Sequence, residues 1–567
     1  MLLTQLEIRN FRGIKELTLP LDDLCVLIGE NNSGKSTVLD ALRICLTRRM
    51  GEGARVFEEY DYHLPDPASE PSKAEAIEIT LTFAEKQEGE RPPAITQVLG
   101  EAAQFDDRSL WSARLRVRSS FDVEANDFAT EYDFLDKSGN PLSRDRNLLV
   151  GIRQLAPVFY LASLRDAAQE FRAQSQFWGP FVRALEFKEG EKAELEEALS
   201  ELNRTVLQRH SAFESVRDQL KKMADYLPLG ETDPVSIEAI PSKAFDTLSR
   251  TQIKLASKTG ARIPIVRHGS GTQSLAVIGL FGAFLNSQLG DVYGEYSEPL
   301  LALEEPEAHL HPSAINAVVR MLRDIPGQKL VSTHSGDLLA DIPLKNVRRL
   351  RRIRGKISVH GVNENAFSPE DIKKLNHKVR KTRGELLFSR CWLLVEGETE
   401  AVLLPECARA MGHDLHTEGV SIVEFSQIGV ERLIKLADQF SIEWFTLVDN
   451  DGQGKNYEKS AKSALGTRNE SDHIRRLDHG NMEVFLCMEG FGDIYEATIS
   501  VQKESNITAD RETLEYWQQV VQAQKDKSKP RNSLVVAQKI TADGYSAVPE
   551  LLADVIKRSR ELARSAG

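Results

Sequence analysis

The 567-residue sequence is poor in cysteine, and none of its five cysteines forms a C-x-x-C pair with another. Zinc ribbons are built on such pairs, so this spacing argues against that class of metal site. Several of the cysteines lie inside apolar stretches, as buried free thiols do in a reducing compartment. The cysteines therefore predict a cytoplasmic protein.

Long apolar runs and a basic leader are also missing. The longest nearly unbroken apolar run, Leu275 to Leu285, is shorter than the roughly 20 residues that span a bilayer. It predicts a core helix instead. The opening residues, MLLTQLEIRNF, alternate apolar and polar side chains, which predicts a β-strand and not a signal peptide. We therefore expect neither a membrane span nor export.

Acidic residues outnumber basic ones overall, but positive charge is concentrated locally. The net charge of -13 argues against a uniformly basic nucleic-acid-binding surface. Two basic runs stand out, VRRLRRIRGK at 347–356 and KKLNHKVRKTRG at 373–384. Each run is compatible with a solvated linker and with contacts to DNA phosphates, and both readings stay open.

The segment LCVLIGENNSGKSTVLDALRICL predicts a strand, a glycine-containing loop and a helix from about Lys35. It holds the phosphate-loop pattern G-x-x-x-x-G-K-[ST]. In that pattern backbone N–H groups cradle the phosphates of ATP, Lys35 reaches the β- and γ-phosphates, and Ser36 ligates Mg²⁺. The predicted nucleotide-binding residues are Gly29, Asn31, Asn32, Ser33, Gly34, Lys35, Ser36 and Thr37.

Two later strands end in residues suited to ATP hydrolysis. PLLALEEPEAHLHP (299–312) predicts a strand that ends in Glu304, placed to hold Mg²⁺, and Glu305, placed to polarise the attacking water. KLVSTHS (329–335) predicts a strand that ends in His334, which can sense the γ-phosphate. Solvated glutamates are the simpler explanation, but an apolar strand seldom ends so abruptly in acids without a cation.

A Gly/Ser loop opens an apolar helix in RHGSGTQSLAVIGL (267–280). Ser270 and Gly271 stand at the N-terminus of this helix, which is a site for anions. The loop alone is a weak signal. Its position between the phosphate loop and the paired acids makes it a strong one.

The order of phosphate loop, Ser-Gly-x-Gln, double-acid strand and strand-end histidine resembles the ABC-type ATPases of the SMC and RecF kind. The resemblance implies that Ser270 and Gly271 cap an ATP held by another protomer, and therefore a homodimer or higher homo-oligomer formed through the ATPase domain. Glu304, where transporters usually have Asp, and Thr272, in place of a second glycine, look like the OLD (overcoming lysogenization defect) branch.

The segment between the phosphate loop and this signature shows two kinds of periodicity. Residues 77–83 and 114–118 alternate as strands with one exposed face do. Between residues 195 and 223 the apolar positions recur every three or four residues, as in amphipathic helices. Such helices bury their stripe in their own core or against a partner subunit, and both readings stay open for 180–227.

Strands and helices alternate in the last third of the chain, with CWLLVEG, VSIVEFS and WFTLVDND as the predicted strands. The alternation predicts a small parallel sheet whose active groups gather at the carboxyl ends of the strands. Glu396, Asp449 and Asp451 fall at such ends, with Gly452 easing the bend. Carboxylates without Cys or His favour Mg²⁺ or Mn²⁺.

VEG and DND in this arrangement resemble the Toprim domain of topoisomerases, primases and OLD-family nucleases. The resemblance implies a two-metal site with a further ligand at Glu400. Two looser candidates are Glu489, after the predicted strand VFLCM, for the second metal, and Lys539, where the family places a late lysine that neutralises the scissile phosphate. For Glu489 and for Lys539, the sequence is nearly as compatible with a surface role. Lys527 and Lys529 are alternatives to Lys539 as the late lysine.

The sequence thus predicts an α/β protein, with an ABC-type phosphate-loop ATPase that contains a helical insertion and precedes a Toprim domain, a Rossmann-like parallel sheet. The predicted segments are 1–165, the first part of the ATPase; 166–260, the helical insertion, with dimerisation as one reading; 261–355, the second part of the ATPase; 356–388, a basic linker; and 389–567, the Toprim domain with a C-terminal helical extension.

The family resemblance implies an endonuclease for double-stranded DNA that depends on ATP and on Mg²⁺ or Mn²⁺. It also implies a role in antiphage defence, with a defence-system partner protein, because the Gabija nuclease subunit and retron effectors are similar. The alternative is a RecF-type repair or recombination ATPase whose Toprim fold binds DNA or a partner without cleaving. Glu396, Asp449 and Asp451 favour cleavage.

Overall fold

The computed structural model describes residues 2–47, 56–66, 68–162, 170, 175, 178–183, 190–209, 239–241, 243, 253–256, 262–525 and 528–566. The chain divides into two compact units. Unit 1 consists mainly of Glu85–Trp111 and Asp145–Lys329, and unit 2 of Leu3–Ala84, Ser112–Arg144 and Leu330–Gly567.

Strands and helices are numbered along the chain. The strands are β1 Leu2–Phe11, β2 Ile14–Pro20, β3 Leu24–Ile28, β4 Ile77–Ala84, β5 Gln104–Phe105, β6 Trp111–Asp122, β7 Asp127–Leu135, β8 Pro141–Ser143, β9 Val158–Leu161, β10 Lys254–Ala256, β11 Arg262–Pro264, β12 Leu300–Glu304, β13 Gln328–Ser332, β14 Val347–Ile353, β15 Lys356–Gly361, β16 Cys391–Val395, β17 Val420–Glu424, β18 Glu443–Val448 and β19 Ile474–Arg476. The helices are α1 Lys35–Thr47, α2 Pro93–Leu99, α3 Arg146–Leu155, α4 Trp178–Arg183, α5 Glu191–Gln208, α6 Ser270–Ser287, α7 Leu289–Tyr293, α8 Pro312–Asp324, α9 Gly336–Ala340, α10 Pro369–Lys381, α11 Glu398–Ala410, α12 Val430–Gln439, α13 Gly452–Ser463, α14 Met482–Leu486, α15 Gly492–Glu496, α16 Leu514–Gln522, α17 Ser528–Asp543 and α18 Glu550–Ser565.

Unit 2 contains an antiparallel sheet in the order β2-β1-β4-β6-β7-β8. Along β6, Ala113, Leu115 and Val117 are fully buried, whereas Arg114 and Arg116 between them are half-buried. The predicted strands at 77–83 and 114–118 are therefore confirmed, and their alternation places one face of the sheet on a core.

A second sheet of unit 2 has the order β15-β14-β3-β13. β14 pairs in parallel with β3 and antiparallel with β15. The N–H of Thr333, just after β13, donates to the carbonyl oxygen of Leu27 on β3 at 3.1 Å. The carboxyl ends of β3 and β13 consequently lie at the same edge of this sheet.

In unit 1, β9 and β12 pair in parallel and pack on the apolar helix α6. The ring of Phe159 on β9 has its centroid 5.5 Å from that of Phe281 and 5.6 Å from that of Phe284 on α6. Both α6 phenylalanines are fully buried. The core helix predicted at Leu275 to Leu285 is confirmed.

The last third of the chain forms a four-stranded sheet in the order β17-β16-β18-β19, and each pair of neighbours is parallel. Its central strand β16 is buried along its whole length. Apolar residues of α11, α17 and α18 complete the core around it. The predicted Rossmann-like parallel sheet is confirmed.

Residues 356–388, predicted as a basic linker, are built of regular elements, among them β15 and α10. Within the predicted dimerising stretch 180–227, residues 184–189 and 210–227 lie outside the described residues. α5 is a helix whose Leu202 is 50% exposed, and its dimerising role stays a prediction.

Along the described chain, no helix combines the length and the apolar character that a membrane crossing requires.

Candidate functional site

The phosphate loop lies between β3 and α1 and bends where its glycines allow it. Gly29 and Gly34 have φ of 151° and 99°. A Cβ at Gly29 would lie 2.4 Å from the carbonyl oxygen of Leu350 and 2.7 Å from Ser33 Oγ, so a larger residue would displace the backbone of β14. The loop therefore turns directly into the N-terminus of α1, a geometry suited to phosphates.

Lys35 points into this loop and is only 6% exposed. Its Nζ donates to the carbonyl oxygens of Gly29 and Glu30, both at 2.9 Å. The loop thus holds the ammonium group at its own centre, from which a lysine reaches β- and γ-phosphates. Of its neighbours in α1, Ser36 is exposed and Thr37 is half-buried, whereas the loop residues Asn31 and Asn32 are exposed.

His334 lies two residues beyond the end of β13, which stops at Ser332. The strand is therefore shorter than the sequence predicts, and His334 lies in the loop that precedes α9. The histidine is exposed, and it follows a strand next to the one that carries the phosphate loop.

An ion pair joins the phosphate loop to the parallel sheet of the last third of the chain. Arg390 Nε lies 2.5 Å from Glu30 Oε1, and Arg390 directly precedes β16. Glu396 follows the other end of this strand. The ion pair and the first predicted metal ligand are thus connected through a single buried strand.

In unit 1, β12 ends at Glu304, which has a partner that the sequence does not reveal. The Tyr160 hydroxyl on β9 donates to Glu304 Oε2 at 2.7 Å. Glu305 follows with φ of 43°, a conformation that is costly for a residue with a side chain and is concentrated at functional sites. Glu304 is therefore held by a hydrogen bond, and Glu305 has a strained backbone conformation.

Ser270 and Gly271 begin α6, as the sequence predicts. A Cβ at Gly271 would lie 3.0 Å from the carbonyl oxygen of His309. Gln273 closes the loop, because its Nε2 donates to the carbonyl oxygen of His268 at 2.7 Å. Ser270 is exposed, so the N-terminus of α6 is accessible to an anion.

Three of the predicted metal ligands lie at the carboxyl edge of the parallel sheet. Glu396 directly follows β16, and Asp449 directly follows the neighbouring strand β18. Asp451 stands two residues further, at the start of α13. Asp449 is 8% exposed, Glu396 is half-buried and Asp451 is exposed.

Burial and neighbouring carboxylates raise the pKa of Asp449, Glu400 and Glu396. Burial is the largest reason that the pKa of Asp449 rises to about 9. Neighbouring carboxylates raise it further and are, in decreasing order of effect, Glu400, Glu396, Glu483 and Asp451. Burial also raises the pKa of Glu400 to about 7, although hydrogen bonds from backbone N–H groups oppose the shift. The pKa of Glu396 is raised by burial and then by Asp451 and Glu483. We call these five acids the carboxylate cluster.

Two members of the carboxylate cluster also cap helices. Asp451 Oδ1 accepts from the N–H of Gln453 at 2.9 Å and of Gly454 at 2.7 Å. Glu400 Oε2 accepts from the N–H of Gly397 at 3.1 Å. Each cap fixes the position of its carboxylate and occupies one of its oxygens.

The close backbone approach near Asp449 is made by a different glycine from the one predicted. The sequence predicts that Gly452 eases the bend, but an added Cβ there would meet no atom within 4 Å. At Gly454 the added Cβ would lie 2.0 Å from the carbonyl oxygen of Asp449. α13 packs against the end of β18 only because Gly454 has no side chain.

Glu483, and not the predicted Glu489, belongs to the cluster. The run VFLCM, predicted as a strand, forms α14 and a π-helical segment, Cys487–Phe491. Glu489 is exposed on that segment, whereas Glu483, in the first turn of α14, is 7% exposed and accepts from the Thr399 hydroxyl at 3.3 Å. A lone acid in the apolar run MEVFLCM is the signal in the sequence that points to it.

Lys539 lies on α17 with an exposed side chain. Its Nζ is 5.6 Å from the centroid of the Phe491 ring, and it is not among the groups that shift the pKa values of the cluster. Lys527 and the side chain of Lys529 lie outside the described residues.

Tyr495, to which no motif of the sequence points, is fully buried. Its pKa is raised by burial first and then by Glu483 and other acidic groups. In the described chain its hydroxyl has no hydrogen-bond partner. A buried hydroxyl close to acids can donate a hydrogen bond to one of them when side chains adjust.

The carboxylate cluster suits a divalent cation. Oε2 of Glu396 is buried and has no hydrogen-bond partner within the described ranges, although a buried anionic oxygen normally has one. All five members offer oxygen, the donor that Mg²⁺ and Mn²⁺ prefer. Over the same ranges, no three acidic, histidine or cysteine side chains already converge as ligands of one ion, so side-chain rotation would accompany binding.

Sequence comparison matches two families in succession along the chain. Residues 1–385 match the family described as "Protein of unknown function (DUF2813)". Residues 387–451 match the family described as "Overcoming lysogenization defect protein-like, TOPRIM domain". The second match includes Glu396, Glu400, Asp449 and Asp451 and ends before Glu483.

Three proteins illustrate the similarity. The Escherichia coli (strain K12) protein YbjD is 29% identical over 571 residues, which cover 100% of this chain and 99% of that protein. The OLD nuclease of Thermus scotoductus is 26% identical and is matched over 79% of this chain and 82% of its own length. Endonuclease GajA of Bacillus cereus is 22% identical, over 82% of this chain and 77% of its own length.

Proposed function

The chain belongs to the DUF2813 family and continues into an OLD-like TOPRIM domain, and on this premise we propose that it is an ATP-binding and ATP-hydrolysing endonuclease that cleaves double-stranded DNA with Mg²⁺ or Mn²⁺. The observation that carries the proposal is the carboxylate cluster, in which burial and neighbouring acids raise the pKa of Glu396, Glu400 and Asp449. The names of the relatives from Thermus scotoductus and Bacillus cereus support it.

We assign the cation sites to the cluster. Glu396, Asp449 and Asp451 would hold one cation, and Glu400 with Glu483 would hold a second. Two such cations supply charge stabilisation for the attacking and leaving oxygens of a phosphodiester and a more acidic water. The chain itself fixes two of the carboxylates by helix caps and excludes water from Asp449 by burial. Lys539 stays a candidate for neutralising the scissile phosphate.

We assign ATP binding to Gly29–Thr37, with Lys35 on the β- and γ-phosphates and Ser36 on Mg²⁺. The enclosed position of Lys35 supports this assignment. Glu304 is proposed as a further Mg²⁺ ligand, Glu305 as the residue that polarises water and His334 as the γ-phosphate sensor. Ser270 and Gly271 are proposed to contact the ATP of a second protomer, so that ATP closes a homodimer.

The test of the proposed function incubates the purified chain with supercoiled plasmid and Mg²⁺ or Mn²⁺, with and without ATP. We expect nicked or linear DNA. Persistence of supercoiled plasmid under every condition would favour the second candidate, a RecF-type ATPase whose Toprim fold binds without cleaving. The basis for that candidate is the intact phosphate loop, which does not depend on the cluster. An antiphage role rests on the family resemblance.

The assignment of the second cation to Glu483 gives a paired prediction. Glu483→Gln should weaken Mn²⁺ binding by about 10- to 100-fold, because a buried carboxylate is lost from the cluster. Glu489→Gln is the matched control and should bind Mn²⁺ as the unmodified chain does, because Glu489 is exposed. Calorimetric titration with Mn²⁺ measures both. Weakened binding in the Glu489 variant alone would instead assign the second cation to Glu489, the residue predicted from sequence.

The raised pKa of Asp449 predicts how stability depends on pH without divalent cations. The folded chain keeps the Asp449 proton up to about pH 9, whereas the unfolded chain releases it near pH 4. The stability contributed by the protonated form is therefore present at pH 4 and lost as pH rises toward 9. Asp449→Asn removes this loss, so in EDTA the variant should unfold at a higher temperature than the unmodified chain at pH 8.

Thermal unfolding across this pH range measures the effect, and the two chains should converge near pH 4. Added Mn²⁺ should stabilise the unmodified chain at pH 8 more than the variant. A variant that is less stable at pH 8 by the same margin as at pH 4 would contradict the coupling of the carboxylates.

A further inference from the structure

The two basic runs of the sequence have different environments in unit 2. In the first run, Arg349 is 4% exposed and donates to the carbonyl oxygen of Ser389 at 2.7 Å. Arg351 donates to the carbonyl oxygen of Ser441 at 2.6 Å. These arginines hold β14 against the residues that flank β16 and β18. Their charges are used inside the fold and are not available to a ligand.

The second run faces a groove. Lys373, Lys374, His377, Lys378 and Lys381 recur along α10 at the spacing of a single helix face. Together with Glu424, which ends β17, they line a groove of about 280 Å³. All of them except Lys378 and Glu424 are exposed. We call this feature the α10 groove.

Positive charge is in excess in the α10 groove. Lys374 Nζ lies 2.8 Å from Glu370 on the same helix, and Lys378 Nζ lies 3.8 Å from Glu424. For Lys373 and Lys381, the described chain offers no ion-pair partner. Burial lowers the pKa of Lys378, and Lys381 lowers it further against the opposing effect of Glu424. An anion in the groove would relieve the repulsion among these cations.

The α10 groove and the carboxylate cluster lie at the same edge of the parallel sheet. β16 and β17 are neighbours, and Val395 pairs with Glu424. Glu396 follows Val395 directly, so the wall of the groove and the first acid of the cluster stand on adjacent strand ends. Adjacent strands are separated by about 4.8 Å.

We propose that the α10 groove binds the phosphodiester backbone of double-stranded DNA and leads it to the carboxylate cluster, with Lys373 and Lys381 as the main phosphate contacts. This inference rests on the proposed function, since it takes the substrate to be DNA. The two lysines are eight residues apart, which is about 12 Å along a helix axis. One DNA strand carries a phosphate about every 3.4 Å of its axis, so the groove can contact several successive phosphates.

The test measures DNA binding by the full-length chain in EDTA, where no metal-dependent cleavage occurs. Fluorescence anisotropy of a labelled duplex of about 30 base pairs is recorded between roughly 50 and 200 mM salt. For the double variant Lys373→Gln/Lys381→Gln, the negative slope of log K against log salt should become shallower by about two. The affinity near 0.1 M salt should fall at least about tenfold. Lys356→Gln, in the first basic run and also exposed, is the matched control and should leave the slope unchanged.

An unchanged slope in the double variant overturns the proposal, and so does an equal change in the Lys356 control or the absence of DNA binding by the unmodified chain. Lys373→Arg/Lys381→Arg keeps both charges and should restore the slope, which separates charge from folding. Plasmid nicking is measured in parallel with Mn²⁺. If the slope changes as expected but no chain nicks DNA, the assignment of DNA binding to the α10 groove is supported and the proposed nuclease function is contradicted.

Discussion

Glu396→Gln is expected to lower plasmid nicking by about 100-fold or more while ATP hydrolysis stays within about twofold of that of the unmodified chain. Glutamine keeps the size of the side chain but removes the negative charge from an oxygen that is buried without a hydrogen-bond partner in the described chain. A cation held there would lose an anionic ligand at the centre of the cluster. Nicking is measured as conversion of supercoiled plasmid, and ATP hydrolysis as phosphate release, on the same preparation.

Glu398→Gln is the matched control for this variant. Glu398 lies two residues away in the first turn of α11 and is exposed, and its charge suits the N-terminus of the helix without a cation. We expect nicking close to that of the unmodified chain. Equal loss of nicking in both variants would indicate a damaged fold, whereas full nicking by the Glu396 variant would remove Glu396 from the cation site.

Lys35→Ala is expected to lower ATP hydrolysis by about 100-fold or more. Removing this side chain leaves the carbonyl oxygens of Gly29 and Glu30 without their ammonium donor and takes a positive charge from the β- and γ-phosphates. Phosphate release and binding of a fluorescent ATP analogue measure the loss.

Lys15→Ala is the corresponding control, because Lys15 is exposed on β2, and it should hydrolyse ATP normally. Unimpaired hydrolysis by the Lys35 variant would contradict the assignment of ATP to this loop. Nicking by the Lys35 variant with and without ATP also shows whether an effect of ATP on nicking depends on this loop. If ATP alters nicking by the unmodified chain, this effect should disappear in the variant.

Predictions from sequence hold best where a short pattern and its element are contiguous. The phosphate loop needs a strand, two glycines and a helix start in a row, and the structure has them at β3, Gly29, Gly34 and α1. The sequence also predicts where Glu396 and Asp449 lie, for a related reason. Each directly follows an apolar strand, and parallel strands bring their carboxyl ends to one edge.

The prediction of a strand at residues 484–488 is wrong for a physical reason. A short apolar run fits a buried strand and a buried helix equally well, because periodicity cannot separate them when every face is buried. Packing resolves the ambiguity in favour of α14, and the helix turns Glu483 inward while Glu489 remains exposed. The identity of the fifth acid thus depends on the start of α14, where the Asn481 side chain caps the helix by accepting from the N–H of Val484.

The sequence by itself determined the phosphate loop, the acids that end two parallel strands and the order of these motifs along the chain, because these are local patterns of backbone and side-chain chemistry. Only the tertiary structure decided which charges remain available. It turns Arg349 into the fold but leaves Lys373 and Lys381 on an open groove, although both runs are equally basic as sequence. The reason is that burial and partnering depend on which elements pack together, and those contacts join residues far apart in the chain.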